Sequence, residues 1–226
     1  MPENPIREFH DDSVDPKVRG FLHLPDTPNG DALVLAHGAG SNATAPLLVA
    51  LAETFRSTGF TVLRCDLPYR QSKSFGPPGP GDAARDRAGL KNALAAMRKM
   101  TSGRLLLGGH SYGGRQSSML CAESRPQASD LVAALLLLSY PLHPPRKPEQ
   151  QRTQHLPDLS TPALFVQGTR DPFASVAEME RALKMIPAKT KLLVVEGAGH
   201  DLGFKGKAMQ QTLPRQIWSE LAGLLS

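Results

Sequence analysis

Short apolar runs alternate with amphipathic stretches along most of this chain, and that alternation restricts the folds open to it. The runs have the length and the Leu and Val content of buried strands, and they lie at 32–36, 60–65, 104–107, 131–138, 163–167 and 191–195. The stretches between them repeat apolar residues at helical spacing, as Leu47, Leu51 and Phe55 do. Strands and helices in regular succession predict an α/β fold, with a mainly parallel twisted sheet and helices on both faces.

The remaining segments set the limits of this fold. Residues 6–10 and 18–24 are predicted to add an antiparallel pair at the edge of the sheet. The segment 71–81 is rich in Gly and Pro and is predicted to be a loop. The segment 139–161 holds five prolines, which predicts a short Pro-rich lid or loop and no large cap domain. With 40% hydrophobic residues, the 226-residue chain can bury one substantial core, so we expect a single domain over 1–226.

Composition argues against several classes of protein. No apolar run reaches the roughly 18 residues of a membrane helix, and residues 1–10 hold charges and no apolar signal core, so we expect a cytoplasmic protein without membrane contact. The net charge is +5, yet no long basic run occurs, and we expect no nucleic-acid partner. Cys65 and Cys121 show no paired spacing for a metal or redox centre. The oligomeric state is not indicated.

The sharpest motif is Gly109-His110-Ser111-Tyr112-Gly113, which follows one predicted strand and precedes a helical stretch. A G-x-S-x-G turn between strand and helix exposes its serine on a tight, strained bend, and glycine on either side avoids clashes there. A glycine turn with an incidental serine is the plainer alternative. The position between strand and helix favours Ser111 as a catalytic nucleophile.

A serine hydroxyl needs a base, and the base needs a third group that fixes its tautomer. Asp171 follows the predicted strand 163–167, and His200 follows 191–195 through a glycine turn. The order Ser, Asp, His is that of α/β-hydrolases, and all three residues lie beyond the carboxyl ends of predicted strands. Asp171 has another interpretation, as the cap of a helix that begins near Phe173. Two rival acids, Asp201 and Glu196, lie next to or near His200, and Asp201 is expected to be a solvated neighbour.

An oxyanion hole needs backbone N–H groups aimed at the developing negative charge. The glycine-rich turn at 37–40 follows the first long strand, and we predict that Ala39 donates one N–H and Tyr112 the other. His37 is expected to brace this loop, while Gly38 and Gly40 are candidate substrate-binding residues. Arg70 is the main candidate for attracting an acidic substrate.

Lys73, Arg115 and Arg170 are further candidates for that role. For each of these cations, as for Arg70, a solvated surface charge is the alternative interpretation.

The same glycine turn has a competing explanation. The residues from Gly38 to Ala43 match G-x-G-x-x-A between a strand and a helix, and Asp66 ends the next strand, as a dinucleotide-binding unit requires. That interpretation predicts an oxidoreductase, but it leaves Ser111, Asp171 and His200 as three coincidences. Walker-type phosphate loops are absent from the sequence.

The motifs at 37–40, 109–113, 168–171 and 197–200 together resemble those of dienelactone-hydrolase-like α/β-hydrolases. The resemblance is closer to the small branch that includes testis-expressed protein thirty and the hydrolase-like domain of a regulatory subunit of the NSL acetyltransferase complex. It runs from the first long strand to the last helix and implies an α/β-hydrolase fold. Dienelactone hydrolases proper carry a cysteine nucleophile, whereas residue 111 is serine, which favours esterase or thioesterase chemistry.

These features lead to one hypothesis and two alternatives. We expect a serine hydrolase that cleaves a small ester or thioester through an acyl-enzyme, in an open cleft and without a metal or organic cofactor. Because some members of the closer branch serve as interaction domains, the first alternative is a catalytically silent interaction module. The second is the dinucleotide-binding oxidoreductase.

Overall fold

In residues 5–123 and 132–226, which the computed structural model describes, eight strands form one mixed sheet. The strands are β1 (Ile6–Asp11), β2 (Val18–His23), β3 (Ala32–Ala36), β4 (Thr61–Cys65), β5 (Leu105–His110), β6 (Ala134–Leu138), β7 (Ala163–Gly168) and β8 (Thr190–Val195). The helices are α1 (Pro46–Ser57), α2 (Pro68–Ser72), α3 (Asp82–Arg98), α4 (Tyr112–Glu123), α5 (Val176–Leu183) and α6 (Lys207–Leu225). Each predicted strand is present within a few residues of its predicted bounds, although Leu131 lies outside the described residues.

The strand order across the sheet is β1-β2-β4-β3-β5-β6-β7-β8. β2 runs antiparallel to both β1 and β4, and the strands from β4 to β8 pair in parallel. The predicted mainly parallel sheet with an antiparallel pair at one edge is therefore confirmed. β3 lies between β4 and β5. The chain therefore adds β4 on one side of β3 and then crosses over to add β5 on the other side. Such a switch point opens a crevice beyond the carboxyl ends of the strands.

Helices cover both faces of the sheet, as predicted. Successive residues of β3 point alternately into two cores: Ala32, Val34 and Ala36 into one, Leu33 and Leu35 into the other. The first core is closed by α3, α4 and α5, and the second by α1 and α6. Strands buried on both faces explain why these segments read as continuous apolar runs in the sequence.

Two predicted loops differ in how well they match the structure. The segment 71–81 was predicted to be loop throughout, but its first two residues belong to α2, which begins at Pro68. Proline is well suited to the first turn of a helix, where its missing N–H is not needed. The segment 139–161 holds a single 3-10 turn, at Leu156–Asp158, and no large cap domain, as predicted. Among the helices of the described ranges, none is long and apolar enough to cross a membrane.

Candidate active site

Three side chains from three separate loops meet beyond the carboxyl ends of the parallel strands. Ser111 follows β5, Asp171 follows β7, and His200 lies in the loop after β8. The Ser111 Oγ lies 2.8 Å from Nε2 of His200, and Nδ1 of the same ring lies 2.8 Å from Oδ2 of Asp171. The carboxylate can only accept, so Nδ1–H donates to Asp171, and Nε2 is free to accept from the serine hydroxyl. The structure thus brings the three sequence-predicted side chains into one hydrogen-bonded chain.

The bend that carries Ser111 is strained and tightly packed. Ser111 has a φ of +50°, and its N–H donates to the carbonyl of Leu138 at 2.8 Å. A Cβ at Gly109 would lie 2.6 Å from the carbonyl oxygen of Ala36, and one at Gly113 would lie 2.6 Å from that of His37. Side chains at either position would push the bend away from the end of β3. The two glycines therefore let the serine lie directly beside the loop that follows β3.

The carboxylate of Asp171 is fully buried and engaged on both oxygens. While Oδ2 accepts from His200, Oδ1 accepts from the N–H of Phe173 at 2.9 Å. Asp171 does not cap a helix, contrary to the alternative interpretation of the sequence. The nearest helix, α5, begins at Val176 and is capped by Ser175. Asp171 forms a local turn instead, and that turn fixes its second oxygen toward the imidazole.

The two rival acids point elsewhere. Asp201 is exposed, and its Oδ1 accepts from the N–H of Gly203 at 3.0 Å. Glu196 is also exposed, and its Oε1 accepts from the hydroxyl of Thr169 at 3.3 Å. Neither carboxylate bonds to the ring of His200. Asp201 is a solvated neighbour, as expected from its adjacent position in the chain.

His110 and Phe173 support the ring of His200 and were not singled out from the sequence. Nε2–H of His110 donates to the backbone carbonyl of His200 at 2.8 Å, and the two rings lie 5.1 Å apart. The ring of Phe173 lies 4.3 Å from that of His200. His110 occupies the variable position directly before the serine, and Phe173 lies two residues after Asp171. Their places beside the motifs were visible in the sequence, but the direction of their side chains was not.

His110 is expected to make the free energy of unfolding depend on pH. Burial lowers the pKa of His110 to about 4, from an ordinary value of 6.5. Between pH 6.5 and pH 4, His110 binds a proton in the unfolded chain but stays neutral in the folded protein. The stability that comes from burying the neutral ring is therefore complete above pH 6.5 and is lost as the pH falls toward 4. We expect the free energy of unfolding to fall by about 3 kcal/mol on this account, at 1.36 kcal/mol per pKa unit.

Urea unfolding at a series of pH values tests this expectation on the wild type and on His110→Gln. Glutamine keeps an N–H donor but does not titrate, so the variant should lose stability less steeply between pH 6.5 and 4. An acid slope identical to that of the wild type would contradict the expectation.

The loop after β3 is held by bonds to its carbonyl groups. The carbonyl of Gly38 accepts from Nδ1 of His37 at 2.9 Å and from the Tyr69 hydroxyl at 3.2 Å. A trans peptide directs its N–H opposite to its carbonyl, so the N–H of Ala39 points away from Tyr69. Nε2 of His37 accepts from the N–H of Leu67 at 3.1 Å. His37 therefore braces this loop as predicted, and burial lowers its pKa, which favours the neutral ring.

Arg70 also bonds to this loop. Its guanidinium donates to the carbonyls of Ser41 at 2.8 Å, Ala39 at 3.2 Å and Gly76 at 2.8 Å. It joins the loop after β3 to the loop after α2, behind the wall of the cleft. Substrate binding by Arg70 was predicted from its charge alone, and its donors are instead directed at backbone carbonyls.

A buried carboxylate, that of Asp86, links the bend that carries Ser111 to Tyr69, which bonds to the loop after β3. The hydroxyl of Tyr112 donates to Oδ2 of Asp86 at 2.7 Å, and the N–H of Tyr69 donates to Oδ1 at 3.0 Å. The rings of Tyr69 and Tyr112 meet edge to face at 5.8 Å. Burial raises the pKa of Asp86 and also that of the Tyr112 hydroxyl. The sequence did carry a signal for Asp86, because it shares the buried face of α3 with Leu90, four residues later.

Ser111 and His200 open into a cleft of about 650 Å³. The predicted residues Gly38, Ala39, Gly40 and Tyr112 all line it. The rest of the wall includes Pro77, Pro78, Arg115, Pro141, Arg152 and Phe173. A Cβ at Gly40 would meet nothing within 4 Å, so the space beside this residue is open.

The dinucleotide interpretation fits this geometry poorly. Oδ1 of Asp66 accepts from the N–H of Ala43 at 2.7 Å, so the carboxylate proposed to bind a ribose is engaged by the loop itself. α1 begins only at Pro46, three residues beyond the end of the glycine motif. In 5–123 and 132–226, no group of three or more His, Cys, Asp and Glu side chains has a metal-binding arrangement.

The chain matches one family model and superposes on several solved structures of known proteins. Residues 29–223 match the family model described as alpha/beta hydrolase domain. An α/β serine hydrolase homologue from Coxiella burnetii superposes with a TM-score of 0.75 at 16% identity, covering 95% of this chain and 97% of that one. Dienelactone hydrolase from Anabaena variabilis gives 0.72 at 22%, covering 96% and 97%. Est1E from Butyrivibrio proteoclasticus gives 0.72 at 16%, covering 98% and 99%. At these identities the similarity shows the fold.

Proposed function

Since this chain belongs to the α/β-hydrolase domain family, we propose that it is a serine hydrolase that cleaves a small ester or thioester through an acyl-enzyme. The observation that carries the proposal is the hydrogen-bonded series from Ser111 through His200 to Asp171. A buried carboxylate, an imidazole of fixed tautomer and a strained serine are the parts that acyl transfer requires. A cytoplasmic location, a single domain over 1–226 and the branch of testis-expressed protein thirty stay predictions from the sequence.

The proposed reaction proceeds in two halves. His200 accepts the proton of Ser111 on Nε2 while the serine oxygen attacks the ester carbonyl, and the same proton then passes to the leaving group. Asp171 holds the ring in the reactive tautomer and stabilises the imidazolium that forms. Water repeats the attack on the acyl-enzyme, with His200 again as base, and releases the acid. The proton that His200 takes from this water returns to the oxygen of Ser111 as the acid leaves, so the free enzyme is restored.

Two backbone N–H groups are proposed to form the oxyanion hole. Tyr112 is the first residue of α4, and N–H groups in the first turn of a helix have no intrahelical acceptor. The N–H of Ala39 points away from the anchored carbonyl of Gly38, and both residues line the cleft beside Ser111. Donors held in this way need no rearrangement when charge develops on the substrate oxygen.

The size of the cleft supports a small or extended substrate. The Pro-rich segment 139–161 contributes Pro141 and Arg152 to its wall, further prolines and Phe173 line it, and the segment forms no large cap. We expect short acyl esters to be preferred over long-chain ones. A series of 4-nitrophenyl esters from acetate to palmitate measures this, and a clear preference for palmitate would contradict it.

A fluorophosphonate probe tests the proposed function directly. The purified wild type should gain the mass of one adduct in intact-protein mass spectrometry, and the Ser111→Ala and His200→Ala variants should gain none. Circular dichroism of each variant shows that the fold is kept. A well-folded wild type that forms no adduct would overturn the proposal and favour the silent interaction module.

A further inference from the structure

Two arginines line the cleft that holds Ser111, and they come from different parts of the chain. Arg115 lies on α4, four residues after Ser111, so it follows the serine by about one helical turn. Both residues line the cleft. Arg152 belongs to the Pro-rich segment, and its backbone N–H donates to the carbonyl of Leu142 at 2.7 Å. One cation is therefore carried by the helix that follows Ser111, and the other by the Pro-rich segment.

No described carboxylate neutralises either guanidinium. Within the described parts of the chain, no carboxylate forms a salt bridge with Arg115 or Arg152, and Nε of Arg115 is buried without a hydrogen-bond partner. Other half-buried arginines are satisfied: Arg56 pairs with Glu53, and Arg87 pairs with Glu123. A buried charged donor without an acceptor is costly, so this arrangement needs an explanation.

The two charges also act on each other and on their surroundings. Burial lowers the pKa of Arg152, and the positive charge of Arg115 lowers it further. Burial likewise lowers the pKa of His155 to about 4, with Arg115 as the next cause. The positive charge of Arg115 thus disfavours the charged forms of both Arg152 and His155. An anion between the two guanidiniums would relieve their repulsion and satisfy the free donors.

We propose that Arg115 and Arg152 form a subsite for an anionic group, a carboxylate or a phosphate, carried by the substrate of Ser111. The inference rests on the serine-hydrolase function proposed above and adds to it the class of substrate, an acidic ester or thioester. Planar guanidiniums suit either oxyanion, because both present paired oxygens to the N–H fork. The proposed subsite lies in the cavity that Ser111 also lines, so one substrate could contact the serine and both arginines.

A matched pair of esters tests the subsite. The 4-nitrophenyl monoester of adipic acid carries a free carboxylate, and its methyl ester at the far end is the same length without the charge. For the wild type we expect kcat/KM to be at least about tenfold higher for the charged ester, equivalent to about 1.4 kcal/mol. The ratio should fall toward one in Arg115→Gln and in Arg152→Gln, and also with added salt in the wild type.

Arg215→Gln is the matched control, because Arg215 is an exposed arginine on α6 away from the cleft. It should keep the wild-type ratio. A wild type that hydrolyses both esters with a ratio near one would overturn the subsite and leave the hydrolase function standing. So would a high ratio that both arginine variants retain.

If neither ester is hydrolysed, the fluorophosphonate probe decides the proposed function, and calorimetric titration with adipate and with propyl phosphate decides the subsite separately. Binding of either anion that is lost in Arg152→Gln would support it, and the tighter of the two identifies the preferred anion. No binding of either anion to the wild type would overturn it.

Discussion

Replacing Ser111 with alanine is expected to reduce kcat for a short 4-nitrophenyl ester by on the order of 10⁶, the loss typical of removing a triad nucleophile. Without the hydroxyl, no acyl-enzyme forms, and only the positioning of substrate beside the remaining donors persists. Alanine tolerates the φ of +50° about as well as serine does, so the fold should be kept. Steady-state kinetics with the wild type and the variant measure the effect.

The chain offers a close control for this substitution. Ser139 also has a positive φ, of +48°, and lies buried just after β6, with a hydroxyl that has no hydrogen-bond partner in the described residues. Ser139→Ala removes a buried hydroxyl from a similar backbone conformation outside the site and should keep wild-type kcat. Equal losses in the two variants would mean that Ser111 acts through the fold, not through chemistry.

Asp171→Asn is expected to lower kcat by about 10⁴ while the fold is retained. Asparagine has nearly the same shape, but its amide can donate to Nδ1 of His200, which favours the ring tautomer with its proton on Nε2. That tautomer cannot accept the proton of Ser111. The N–H of Phe173 would still find the amide oxygen, so the local turn should survive.

Asp201→Asn is the control for the acid, because Asp201 is the exposed neighbour of His200. It should leave kcat within about twofold of the wild type, as is usual for a surface substitution. A large loss in Asp201→Asn together with a small one in Asp171→Asn would reverse the assignment of the acid. Chemical shifts of the imidazole protons of His200 would report the tautomer in each variant.

The sequence predicted the parts of this molecule that local patterns encode. Strands buried on both faces are apolar throughout, so β3 was predicted with its observed bounds, and the nucleophile bend was recognised from its two glycines. β5 was predicted to end at residue 107 but continues to His110, because His110 pairs with Leu138 across the sheet. Cross-strand pairing of this kind has no local signal.

The sequence could not predict contacts between distant segments. Arg70 lies in the short helix α2 and Arg152 in the Pro-rich segment, yet the first bonds to backbone carbonyls and the second lines the cleft. Charge alone favoured Arg70, and only the fold distinguishes the two. The bonds from Tyr69 to Gly38 and from Leu67 to His37 likewise depend on how the loop after β3 packs against the segment that follows β4.

Asp171 and His200 lie in the loops that follow the last two strands, β7 and β8. Ser111 and His200 are 89 positions apart in the chain, and β8, which precedes His200, is a partly exposed strand at the outer edge. The bend at Ser111 lies beside the central strands β5 and β6, whereas His200 depends on this edge of the sheet. The hydrogen bond between Ser111 and His200 can therefore form only when β8 and the loop after it are packed against the rest of the sheet.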